Sequence, residues 1–151
     1  MRTYRIPLHT ISLVREKTVQ AEQRNVTTSA EAAKVLRAVL GDTDREQFVV
    51  LCLNGKHAVI GANIASTGSV SMSIVHPREA FKAAILMNAS SVIFGHNHPS
   101  GETESSPEDI AITSRLVQAG NILGIQVLDH IVLGDGTERY YSFADEGKLT
   151  A

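Results

Sequence analysis

Residues 91–98 read Ser-Val-Ile-Phe-Gly-His-Asn-His, a short apolar run that passes straight into two histidines. Val92, Ile93 and Phe94 have the character of a buried strand. Side chains alternate along a strand with a period of two, so His96 and His98 project from one face at its end and can meet one ion. The turn formers Pro99, Ser100 and Gly101 follow at once. Pro107 then opens a helix that carries Asp109 in its first turn, eleven residues after His98. A short loop thus returns a carboxylate toward the strand end. Two neutral imidazoles and one carboxylate are a common catalytic zinc set that leaves a fourth position for water. Zinc lowers the pKa of such a water to about 7, which supplies a hydroxide nucleophile at neutral pH. The same residues also admit a plain reading. Ser106-Pro107-Glu108-Asp109 is an ordinary helix start, with serine as N-cap, proline next and acids near the positive end of the dipole, and a His-x-His pair by itself is weak support for a metal.

Composition narrows the ligand chemistry. The chain has 151 residues, the size of one domain, with one cysteine against six histidines. Cys52 alone excludes an internal disulfide framework and a multi-thiolate site, so any bound metal is held by nitrogen and oxygen. Such a site suits a reducing, cytoplasmic compartment. The longest apolar run, 48–53, is far below the roughly 20 residues of a membrane span. No signal-like apolar stretch lies between Arg2 and Arg15. The net charge of −2 divides into +3 over residues 1–45 and −5 over 46–151. Four acids fall within 102–109 and no Lys or Arg occurs from 83 to 114. A surface of that sign repels phosphates, which weighs against nucleic acid as a partner.

The pattern predicts a mixed α/β or α+β domain over 28–151, preceded by an N-terminal arm, 1–27, whose stretches 4–8 and 11–14 suit an edge strand. Thr28 and Glu31 form a capping pattern for a first helix that ends at Gly41. A strand at 48–53, an Asn54-Gly55 hairpin turn and a return strand at 58–65 follow. A second helix runs from Pro77 to about Ala89 with Ala80, Phe81, Ala84 and Ile85 on one face. The third helix runs from Pro107 to near Gly124, and strands at 125–133 and 139–143 flank an Asp135-Gly136 turn.

A zinc hydrolase also needs a base to take the proton from its water. The sequence offers Glu46, Glu79, Asp129 and Glu138, with Glu46 slightly favoured because it lies two residues before a core strand. Asp129-His130 sits in an apolar strand and must be hydrogen-bonded if buried. It reads either as a structural pair or as outer support for a zinc ligand. His76 reads as a helix cap, His9 and His57 as solvated residues, and Cys52 as a small core residue. Glu102, Glu104 and Glu108 read as a solvated face.

The spacing His96-x-His98, seven residues, then Ser106-x-x-Asp109 matches the JAMM motif of JAB/MPN-domain metalloproteins. The wider text resembles the RadC family at Asp44-Arg45-Glu46-Gln47-Phe48, Val75-His76-Pro77-Arg78-Glu79, Gly95-His96-Asn97-His98-Pro99-Ser100-Gly101 and Leu128-Asp129-His130-Ile131-Val132-Leu133-Gly134. The likeness runs from about residue 28 to 143. It implies a JAB/MPN fold, a mixed β-sheet flanked by helices with a cytidine-deaminase-like layout. It also implies zinc on His96, His98 and Asp109, Glu46 as general base, and Ser106 polarising the substrate carbonyl or steadying an oxyanion. Full-length RadC proteins carry an N-terminal helix-hairpin-helix-like region. The 27 residues before the match show no such pattern, so a DNA-repair role draws no support from this chain. The leading expectation is a zinc metallopeptidase acting on a peptide or isopeptide substrate. A metal-dependent nuclease stands second and a non-catalytic MPN scaffold third.

Overall fold

Thr28 opens α1 (Ser29–Leu40). Its hydroxyl accepts from the Glu31 amide at 3.2 Å, and the Glu31 carboxylate reaches back to the Thr27 amide at 3.3 Å. Gly41, at φ +60°, ends the helix. The computed structural model describes residues 1–68 and 75–151. It continues through β1 (Gln47–Leu53), β2 (Val59–Thr67), α2 (Pro77–Ala80), α3 (Lys82–Leu86), β3 (Ser91–His98), α4 (Pro107–Leu123), β4 (Gln126–Gly134) and β5 (Tyr140–Ser142). The strands form one mixed sheet in the order β2-β1-β3-β4-β5. Only β3 and β4 are parallel, and α4 is the crossover that a parallel pair requires.

Alternation along the central strands divides the core between the two faces of the sheet. Phe48, Val50, Phe94 and Val92 pack with Phe81 and Leu116 on the face covered by α2, α3 and α4. Val49, Leu51, Ile93, Ile131 and Leu133 pack with Val35 and Leu36 beneath α1. β1 and β3 are buried on both faces, which is why they read as continuous apolar runs.

Two features of this topology position a site. The α4 crossover begins where β3 ends, so the first turn of α4 meets the last residues of β3. The antiparallel register of β1 and β3 pairs Phe48 with His96. Carried two residues further, that register sets Glu46 opposite His98 on the same face.

The structure departs from the sequence reading in four places. The expected edge strand in the arm is not formed: residues 1–24 lie outside regular structure, and Tyr4, Ile6, Leu8, Ile11 and Val14 are exposed. Toward its far end the arm joins the sheet, where the Arg24 carbonyl accepts from the Val59 amide at 2.9 Å and Asn25 bridges Ala58, just before β2. The helix expected from Pro77 to Ala89 is broken at Phe81, which is fully buried and packs edge-to-face on Phe94 at 5.5 Å. This leaves Ile85, expected on the buried face, 52% exposed. Asn54-Gly55 does not make a two-residue turn. Asn54 Oδ1 instead accepts from the Lys56 and Ala58 amides at 2.9 and 3.0 Å, and His57 takes the positive φ of +59°. The last strand is confined to Tyr140–Ser142.

Candidate metal centre

α4 starts with a complete capping box. Ser106 Oγ accepts from the Asp109 amide at 3.0 Å, while Asp109 Oδ2 accepts from the Ser106 amide at 2.8 Å. The carboxylate that stabilises the helix start is therefore held from one side and turned toward β3 with the other. Its Oδ1 lies 3.2 Å from His96 Nε2 and its Oδ2 3.7 Å from His98 Nε2. The two Nε2 atoms are 3.2 Å apart. Glu46 approaches as well: a carboxylate oxygen of Glu46 and one ring nitrogen each of His96 and His98 lie within 4.8 Å of one another, close enough to hold a metal ion. Four of the residues singled out from the sequence thus converge at one strand end.

Depth is graded across this cluster. The side chains of His96 and Asp109 are closed off from solvent, His98 is 18% exposed, and Glu46 is half-buried at the rim. Burial works against the Asp109 carboxylate, but the adjoining His96 ring and the Ser106 amide outweigh it, leaving the carboxyl below its ordinary range. His98 Nδ1 lies 2.9 Å from the Glu102 carbonyl. A carbonyl only accepts, so His98 carries a hydrogen on Nδ1, and its neutral form presents a bare Nε2 to the cluster.

Residues that the sequence did not single out build the frame. Asn97, between the two histidines, faces the other side of the sheet and is fully buried. Its amide donates to the Arg45 carbonyl at 2.8 Å and to Asp135 at 2.7 Å, and its Oδ1 accepts from the Gln47 amide at 2.8 Å. It thereby ties the segment that carries Glu46 to the end of β3. The alternation of His-Asn-His was the available signal, since the middle residue of three must point away from the other two.

The Asp129-His130 pair is split by the same alternation. Asp129 turns from the cluster and accepts from Ser142 Oγ at 2.5 Å and the Ala144 amide at 3.0 Å. Burial raises its carboxyl above the usual value against these bonds. It ties β4 to the chain after β5 and is not placed to act as a base on the cluster. His130 faces inward, with Nε2 at 2.8 Å from His96 Nδ1. Complete burial above all holds it well below the ordinary histidine range, in the neutral form. Of the other candidate bases, Glu79 is half-buried and paired with Lys82 at 2.8 Å, and Glu138 is exposed. His76 caps α2 by accepting from the Arg78 amide, His9 and His57 are exposed, and Cys52 is buried. Glu102, Glu104 and Glu108 are exposed. A cavity of about 680 Å³ lined by Arg37, Asp42, Asp44 and Asp135 opens on the α1 side and includes none of the four clustered residues. No helix among the described residues is long and apolar enough to cross a membrane.

Comparison with known proteins agrees with this geometry. Residues 26–148 match the family model of the RadC-like JAB domain. A UPF0758 protein of Rubrobacter xylanophilus is 47% identical over 124 residues, covering 82% of this chain and 53% of its own. A UPF0758 protein of Methanosarcina barkeri is 42% identical over 132 residues, covering 87% of this chain and 57% of its own. One from Symbiobacterium thermophilum is 53% identical over 105 residues, covering 70% and 44%. The chain spans about half the length of the curated relatives it matches.

Proposed function

Because the chain belongs to the RadC-like JAB domain family, we propose that it is a zinc-dependent hydrolase of peptide or isopeptide bonds. The observation that carries this reading is the meeting of His96 Nε2, His98 Nε2 and the Asp109 carboxylate within 3.2–3.7 Å. Two imidazoles and one carboxylate fit zinc, with no thiolate needed. When bound there, zinc supplies a Lewis acid and a water acidic enough to ionise near neutral pH.

The protein's own groups divide the remaining work by distance. Asp109 sits against both imidazoles and is anchored by its capping box, which suits a ligand. Glu46 stands further out at the rim, and its carboxylate makes no side-chain hydrogen bond among the described residues. It suits the base that accepts the water proton and passes it to the leaving amine. The Ser106 oxygen is engaged by the Asp109 amide, while its hydroxyl hydrogen remains to donate to a substrate carbonyl as negative charge develops there. The acidic segment 102–109 favours a peptide over a phosphodiester.

The test compares isopeptide-linked and C-terminally extended peptides with single- and double-stranded DNA, each with and without chelator. Chelator-sensitive peptide cleavage supports the proposal. Cleavage of DNA alone would make the protein a nuclease, and a zinc-loaded protein inert on both would be a scaffold.

A further inference from the structure

Thr113 lies one helical turn after Asp109 on α4 and donates its hydroxyl to the Asp109 carbonyl at 2.6 Å. A hydroxyl has one hydrogen, so toward His130 Nδ1, 2.5 Å away, the Thr113 oxygen can only accept. His130 therefore carries its hydrogen on Nδ1 and turns a bare Nε2 toward His96. Across that 2.8 Å contact His96 Nδ1 must be the donor. The lone pair of His96 is thus left on Nε2, the atom that faces His98 and Asp109.

We infer that His130 and Thr113 are positioning residues that hold His96 in the one tautomer able to ligate a metal ion, through a hydrogen-bond circuit that closes on the backbone of Asp109. The inference rests on the metal reading above and names what prepares the site for its ion. The circuit links two proposed ligands that lie on different elements. It leaves His96 on β3, crosses to β4 at His130, passes to α4 at Thr113 and returns along one turn to Asp109. Each step joins neighbours in the fold: β3 and β4 pair in parallel, and α4 covers the face on which His130 projects.

The His130 slot is otherwise aromatic. The ring stacks on Phe143 at 5.0 Å and 9°, and meets Phe48 edge-on at 5.6 Å. An apolar ring would fill that space without burying two polar nitrogens. The imidazole costs desolvation that only its two hydrogen bonds offset. Its polarity is therefore used for the bonds to His96 and Thr113. Partners of this kind raise ligand basicity and fix ring orientation.

The test uses metal-free protein labelled with ¹⁵N in its imidazoles, together with zinc affinity measured by competition with a chelating dye. In the unaltered protein His96 and His130 should each show a protonated Nδ1 and a bare Nε2. His130→Phe keeps a ring between Phe48 and Phe143 but removes the acceptor. His96 should then lose its single tautomer, and the zinc Kd should rise about 10–100-fold, the range for removing such a partner. Thr113→Val should shift both readouts in the same direction and Thr113→Ser should restore them, which separates the relay from packing should the phenylalanine variant fold poorly. If His96 stays in the Nδ1–H form in His130→Phe and Thr113→Val with zinc affinity unchanged, the inference is overturned. A wild-type His96 protonated on Nε2 overturns it whatever the zinc result. Wild-type protein with the expected tautomers that binds no zinc would instead count against the metal reading.

Discussion

Leu36 of α1 lies directly over Gly95 of β3: a Cβ on the glycine would meet the leucine Cδ1 at 2.5 Å and Cδ2 at 2.6 Å. The absence of a side chain lets the helix sit on the sheet at the residue before His96. Leu36 is fully buried and cannot swing into solvent. Gly95→Ala should therefore cost about 1–3 kcal/mol by overpacking. Urea unfolding should show a lower midpoint with the same slope. A midpoint equal to wild type would mean that α1 yields freely.

Zinc content tests the ligand assignment. Purified protein should hold about one zinc per chain, as a single three-ligand site requires, and His98→Ala should lose most of it while the fold is retained. Asp109→Asn is the cleaner companion, because the amide oxygen can still accept from the Ser106 amide and keep the helix cap. Elemental analysis beside circular dichroism makes the measurement. Full zinc in both variants would exclude the assignment.

Glu46→Gln separates a base from a ligand. With Glu46 as base, zinc content should stay and turnover should fall at least about 100-fold, the usual size of a general-base contribution. Loss of zinc in this variant would move Glu46 into the ligand set beside His96 and His98, which the 4.8 Å grouping of these three residues makes a real alternative.

Ser106→Ala removes the acceptor for the Asp109 amide, at a cost of about 1 kcal/mol typical of an N-cap. The thermal midpoint should fall modestly. Turnover should fall further than the small change in zinc content explains, since the hydroxyl donor to the substrate is also lost. If turnover per bound zinc is unchanged, Ser106 serves only as a cap.

Cys52 is enclosed in β1, and burial pushes its thiol up to about 12. The reactive species is the thiolate, so a disulfide reagent near pH 8 should leave the native protein unlabelled and label it stoichiometrically in denaturant. Rapid labelling of folded protein would show that the strand opens.

Features set within a few residues were legible in advance. The His96 and His98 geometry follows from strand alternation, and Asp109 from a helix start that Ser106 and Pro107 announce. The buried runs at β1 and β3 show as uninterrupted apolar text. Where local pattern met a tertiary demand, the pattern gave way. Phe81 broke its helix to reach Phe94, and the apolar residues of the arm found no strand partner.

The sequence by itself pointed to His96, His98 and Asp109 as candidate donors, gave their order along the chain and carried the likeness to the family to which the chain belongs. Only the tertiary structure decided how distant residues join that set. The antiparallel register of β1 on β3 sets Glu46 opposite His98 rather than leaving it one of four acids. The parallel pairing of β3 with β4 brings His130 to His96 and sends Asp129 to the opposite side. Register and pairing are set by how whole faces of the sheet bury against the helices, and a one-residue slip would turn every side chain to the other face. No local stretch of sequence carries that information.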